Sequence, residues 1–108
     1  MNVGEVEIKL DGKTETLRSS LGAFKRVNAA GGFQNVINKL LGYDFDYYVT
    51  VISAGLNKKP ADIADLENAI YKTGLPPLLG GLTKYVGYLA NGGKPAEDPG
   101  EKADTGEG

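Results

Sequence analysis

Few side chains in this sequence have the chemistry for catalysis. Ser19, Ser20 and Ser53 carry hydroxyls, but the 108 residues include no His and no Cys. A serine nucleophile therefore has no imidazole to activate it, and thiolate nucleophiles, disulfides and thiolate metal sites are excluded. Ser19 and Ser20 read as helix caps and Ser53 as a helix-face residue. Two carboxylate pairs come next. Asp44 and Asp46 diverge at a helix start. Asp62 and Asp65 share one face of a helix N-terminus, where acids complement the macrodipole rather than do acid–base work. Neither pair has the glycine and spaced ligands of a calcium loop. Gly93-Lys94 imitates the end of a phosphate-binding loop, but Tyr88 stands where the first glycine belongs and Pro95 replaces the Ser or Thr. These residues predict a protein that is not an enzyme and carries no metal and no cofactor.

Binding is the remaining class. Lys25-Arg26 and Lys58-Lys59 are the only adjacent basic pairs, too sparse for a nucleic-acid footprint. Tyrosine buries area while keeping a polar tip, and so is favoured at interfaces. Tyr47 and Tyr88 fall off the main apolar stripes, and Tyr85 lies three residues before Tyr88. With Val51 and the Leu78, Leu79 and Leu82 cluster, these residues are the candidate partner-binding set.

The elements that must position them are legible from periodicity. Val6, Ile8 and Leu10 alternate with Glu5, Glu7 and Lys9, and Asp11-Gly12 suits a type I′ turn. The chain returns over Lys13 to Arg18. A two-residue turn sets Leu10 opposite Lys13, Ile8 opposite Glu15, Val6 opposite Leu17 and Glu5 opposite Arg18. Glu15 is then the one acid on the apolar face, tolerable near an open edge. A helix follows with Leu21, Phe24 and Val27 on one side, stopped by Gly31-Gly32. Phe33, Val36, Ile37, Leu40 and Leu41 stripe a second helix, ended by Gly42 at the left-handed position glycine favours. Asp44 suits the cap of a third, striped by Phe45, Tyr48, Val49, Ile52 and Leu56 and widened by Tyr47 and Val51. Pro60 suits the first turn of a fourth, with Ile63, Leu66 and Ile70, which Thr73-Gly74 ends. Pro76 and Pro77 confine the last helix to about 78–90. The class is α+β: an N-terminal β-hairpin, about residues 4–18, then four or five short helices, about 20–90, in one small domain over 1–91.

Composition changes after Asn91. Residues 92–108 contain no Val, Ile, Leu or Met and no aromatic residue, and five acids against two lysines leave them at −3. They read as a disordered acidic tail. The body, with ten bases and nine acids, stands at +1. The N-terminus has neither the basic nor the apolar region of a signal peptide, and no run reaches the ~18 apolar residues of a membrane span. A soluble, unsecreted chain that binds neither membrane nor nucleic acid is expected.

The order of segments resembles a phage family. Gly4 to Lys13 (GEVEIKLDGK), then Leu17-Arg18, then Leu21, Ala23 and Phe24, are similar to the small tail-assembly proteins of the gene-transfer-agent type in tailed phages and prophages. Val51-Ile52-Ser53-Ala54-Gly55-Leu56 and Ile70-Tyr71-Lys72-Thr73-Gly74-Leu75 resemble two later segments of that family. The likeness spans residues 3–91. Ser19-Ser20 departs from it where a Pro-Thr/Ser pair is common, as does Arg26-Val27-Asn28 where an acid often follows an aliphatic residue. The resemblance implies a tail assembly chaperone that holds the tape-measure protein and recruits tail-tube subunits, with self-association possible. It implies a site of action in the bacterial cytoplasm and absence from the mature particle. A structural tail component retained in the particle is the alternative, and a small nucleic-acid-binding regulator a third.

Overall fold

Strands β1 (Val6–Leu10) and β2 (Lys13–Leu17) form the hairpin that the alternation predicts. Asp11 and Gly12 both have positive φ, 51° and 85°, as a type I′ turn requires. The register is the one the turn dictates, Val6 opposite Leu17, Ile8 opposite Glu15 and Leu10 opposite Lys13. Just beyond it, Arg18 forms an ion pair with Glu5. Glu15 is half-buried, as an edge position allows. The computed structural model describes residues 4–94.

Five helices follow: α1 (Leu21–Asn28), α2 (Phe33–Leu41), α3 (Phe45–Leu56), α4 (Ile63–Thr73) and α5 (Pro76–Ala90). The fold is α+β, one hairpin and five helices around a shared core. Several boundaries differ from the periodicity reading. Pro76 and Pro77 do not delay α5; they occupy its first turn, where the missing N–H groups have no intrahelical partner to lose. Pro60 heads a short 3₁₀ turn, Pro60–Asp62, that feeds α4. Gly42 closes α2 with φ −87°, and the left-handed residue is Tyr43, at φ 57°. Asp44 precedes α3 but its side chain makes no cap bond.

Helix α3 is the centre of the packing. It contacts α1, α2, α4, α5 and β2. Tyr48, Val49, Val51, Ile52, Ser53, Ala54 and Gly55 are all buried. With neighbours on so many sides, Asp46 is the one fully exposed residue of α3, so positions that looked peripheral on a wheel are core. Two glycines let elements close on one another. A Cβ at Gly55 would stand 2.8 Å from Leu17 Cδ2, and one at Gly81 would stand 2.9 Å from Ile8 Cγ2. The hairpin thus lies against α3 through β2 and against α5 through β1.

The body also runs past Asn91. The Gly93 N–H donates to the Tyr88 carbonyl at 2.8 Å, and Gly93 packs against Gly4. Of the expected tail, residues 92–94 are among those described, and the expectation for residues 95–108 lies outside the described residues.

Candidate functional site

The seven residues expected at a partner surface divide in two. Val51, Leu82 and Tyr85 have no exposed surface and Leu78 retains 2%. They are core residues and present nothing to a partner in this conformation. Val51 lies on the encircled α3, and Leu78, Leu82 and Tyr85 lie on the core face of α5. Tyr47, Leu79 and Tyr88 are half-buried and pack on the core edge. Lys39 lies over the Tyr47 ring, Nζ 5.9 Å from the centroid, and Lys84 over Tyr88 at 5.8 Å. The Tyr47 hydroxyl is 3.4 Å from Asn35 Nδ2. No one cleft brings the seven together.

Tyr85 is structural. Its hydroxyl donates to the Arg18 carbonyl at 2.5 Å, which ties α5 to the end of β2. Burial pushes its pKa up to about 12, and the Arg26 charge opposes that shift. Tyr48 does the same at the other end of the core, donating to the Leu40 carbonyl at 2.7 Å. Burial first, and Tyr43 second, raise its pKa. Ser53 is a helix-face residue, as expected, but on a buried face of α3. It is 3% exposed, and Arg26 Nη2 donates to its Oγ at 3.0 Å.

The large apolar residues that stand exposed lie elsewhere: Leu41 and Tyr43 at the end of α2, Tyr71 on α4, and Leu21 and Phe24 on α1. The expected stripe of Leu21, Phe24 and Val27 is only partly right: Ala23 and Val27 are buried, while Leu21 is 73% and Phe24 37% exposed. At about 100° per residue, Ala23 and Val27 fall within one narrow sector and Leu21 lies nearly opposite it, while Ala30, in the turn after the helix, also packs on the core. The sequence therefore carries a second stripe, of smaller residues, and that stripe faces the core.

Beside Leu21 and Phe24 lies a cleft of about 440 Å³, lined also by Ser19, Ser20, Leu89, Gly92 and Gly93. Its geometry is fixed from several sides. Ser20 Oγ accepts from the Ala23 N–H at 3.0 Å and caps α1. Ser19 Oγ donates to the Gly4 carbonyl at 2.8 Å. Gly4 has φ +84°, and a Cβ there would stand 1.9 Å from the Gly93 carbonyl oxygen. Phe24 is steadied by Phe33, with ring centroids 4.9 Å apart and planes tilted by 46°. The lining holds no titratable side chain, so it offers a ligand apolar area and two committed hydroxyls.

Among the described residues, no group of three His, Cys, Asp or Glu could hold a metal ion, and no helix is long and apolar enough to cross a membrane. Comparison of the chain with protein-family models, curated proteins and solved structures finds no match to any of them.

Proposed function

We propose that this chain is a tail assembly chaperone of a tailed phage or prophage, which transiently covers apolar segments of the tape-measure protein or of tail-tube subunits. The family reading rests on the sequence resemblance. The observation that supports a holding role is the cleft at α1, where Leu21 and Phe24 stand exposed over Leu89. A holding protein needs apolar area presented on a stable frame, and exposed apolar patches mark such contacts. The contact surface assigned here is therefore Leu21 and Phe24, with Tyr47, Leu79 and Tyr88 as candidates for a wider rim.

Co-expression with tape-measure fragments and tail-tube protein from the same genome, followed by pull-down and sizing, tests the reading. An otherwise insoluble tape-measure fragment is expected to become soluble and co-elute. Leu21→Asp with Phe24→Asp is expected to abolish co-elution while the variant itself remains folded. Absence of any complex, with the protein found by mass spectrometry in purified particles, would replace the chaperone by a structural tail component.

A further inference from the structure

One covalent reaction is open to this chain without a catalyst, and the fold holds its reactants apart. Asn91-Gly92 is the single Asn-Gly pair in the sequence. In such a pair the glycine nitrogen can attack the asparagine side-chain amide, because no Cβ on the following residue blocks the approach. Both residues are exposed. They also close α5. The Gly92 N–H donates to the Leu89 carbonyl at 3.1 Å and the Gly93 N–H to the Tyr88 carbonyl at 2.8 Å, with Gly92 left-handed at φ +72°. This is a Schellman motif, with Asn91 as its C-cap. It restrains the reaction twice. The attacking nitrogen is committed to the Leu89 carbonyl. The five-membered ring also needs Asn91 Cβ and Gly92 N on the same side of the Cα–C bond, and at ψ 28° they lie nearly opposite. Ring closure therefore waits for the turn to open.

The contact between the chain ends governs that opening. Gly93 packs on Ser19, and Gly4 approaches the Gly93 carbonyl so closely that no Cβ fits between them. Gly92 and Gly93 also line the apolar cleft beside Leu89. We propose that Asn91-Gly92 is a self-modification site, at which deamidation to isoaspartate opens the apolar cleft irreversibly. Gly92 N bonds to Asn91 Cγ, the Cγ–Nδ2 bond breaks, and ammonia leaves with the Gly92 amide proton. Water then adds to one carbonyl of the succinimide. Cleavage of the ring nitrogen from Cγ gives aspartate. Cleavage from the main-chain carbonyl carbon gives isoaspartate: that carbonyl becomes the free carboxylate, and Cβ and Cγ carry the main chain. The path into Gly92 is then one atom longer, so the Schellman bonds lose their register and Gly93 is displaced from Gly4 and Ser19. The new carboxylate adds to the disturbance. It lies at the negative end of the α5 dipole, where the last turn has no basic residue to offset it. The reaction needs only water, and it stands whether or not the cleft holds a tail protein.

The test ages the full chain at neutral pH beside a synthetic peptide of residues 88–94. Mass spectrometry locates the product and tells isoaspartate from aspartate. Conversion is expected at Asn91 ahead of every other asparagine, and slower than in the peptide by about tenfold or more, because only the opened turn reacts. Gly4→Ala is expected to raise the rate by about threefold or more, as is the milder Ser19→Ala, which removes the hydroxyl that holds the Gly4 carbonyl. Asn91→Gln, which needs a larger ring, is expected to stop the reaction. The isoaspartate form, separated by ion exchange, is expected to exchange its Gly93 amide about tenfold faster, with Ile52 unchanged. Asn91→Asp brings the charge without the extra main-chain atom, and its Gly93 amide is expected to stay within about threefold of the parent. An Asn91 that outlasts the other asparagines would overturn the proposal, as would equal rates in the parent, Gly4→Ala and Ser19→Ala. An isoaspartate form whose Gly93 amide exchanges like the parent's would overturn it too, and reduce the reaction to ageing without effect on the cleft.

Discussion

Tyr85 shows how one side chain can look like a surface feature in the sequence and serve as a core pin in the fold. Its ring is fully buried and its hydroxyl holds the Arg18 carbonyl, so Tyr85→Phe leaves a buried acceptor without its donor. The expected cost is about 1–3 kcal/mol at neutral pH, read from urea unfolding. The titration gives a second signature. The folded pKa is about 12, against an ordinary value of 10.0, so the native state holds this proton more tightly than the unfolded chain. Stability from this group is fully present below pH 10 and is lost as pH rises from 10 to 12. Tyr85→Phe should therefore show a shallower fall in stability than the parent across that window. Equal slopes would mean that the hydroxyl is not held as described.

Helices here differ in how much their glycines matter, and identical substitutions should have opposite signs. Gly55→Ala places a methyl 2.8 Å from Leu17 Cδ2 and 3.2 Å from Tyr85 Cζ, between α3, β2 and α5. Overpacking of this kind costs about 1–3 kcal/mol, more than the gain in helix propensity of about 1 kcal/mol. Gly80→Ala on α5 meets nothing within 4 Å and should stabilise by about 0.5–1 kcal/mol. Thermal unfolding of the two variants checks both. Element-level legibility follows the same division. The hairpin was readable in full because Asp11-Gly12 fixes its register by counting alone. Four or five helices were readable from their stripes, though the prolines put the start of the last one two residues late. Which face of α1 lies inward was not, because Leu21 and Phe24 outweigh Ala23 in apolar area while Ala23, Val27 and Ala30 pack closer. Val51 and Tyr85 were misplaced because position on a wheel does not reveal how many neighbours surround a helix.

At the scale of the whole molecule, the apolar cleft exists because the two ends of the described chain meet. Gly4 and Gly93 are far apart in sequence, and each has positive φ, +84° in both. No local pattern announces such a contact, so the cleft was not legible in advance. Ser19 is the third member: its Oγ binds the Gly4 carbonyl, and its Cβ would stand 3.2 Å from a Cβ added at Gly93. Gly4→Ala should break this closure on two counts, a Cβ 1.9 Å from the Gly93 carbonyl oxygen and a side chain in a backbone region that disfavours one. Gly4, Ser19 and Gly93 contribute no side chain to the core, so the damage should stay local. Native-state hydrogen exchange is expected to show faster exchange at the Gly93 and Ala23 amides with little change at Ile52. If the cleft is the holding surface, Gly4→Ala also weakens capture of a tape-measure fragment while global unfolding shifts little. Capture lost only in step with global stability would instead place the holding surface away from the chain ends, toward Tyr47, Leu79 and Tyr88.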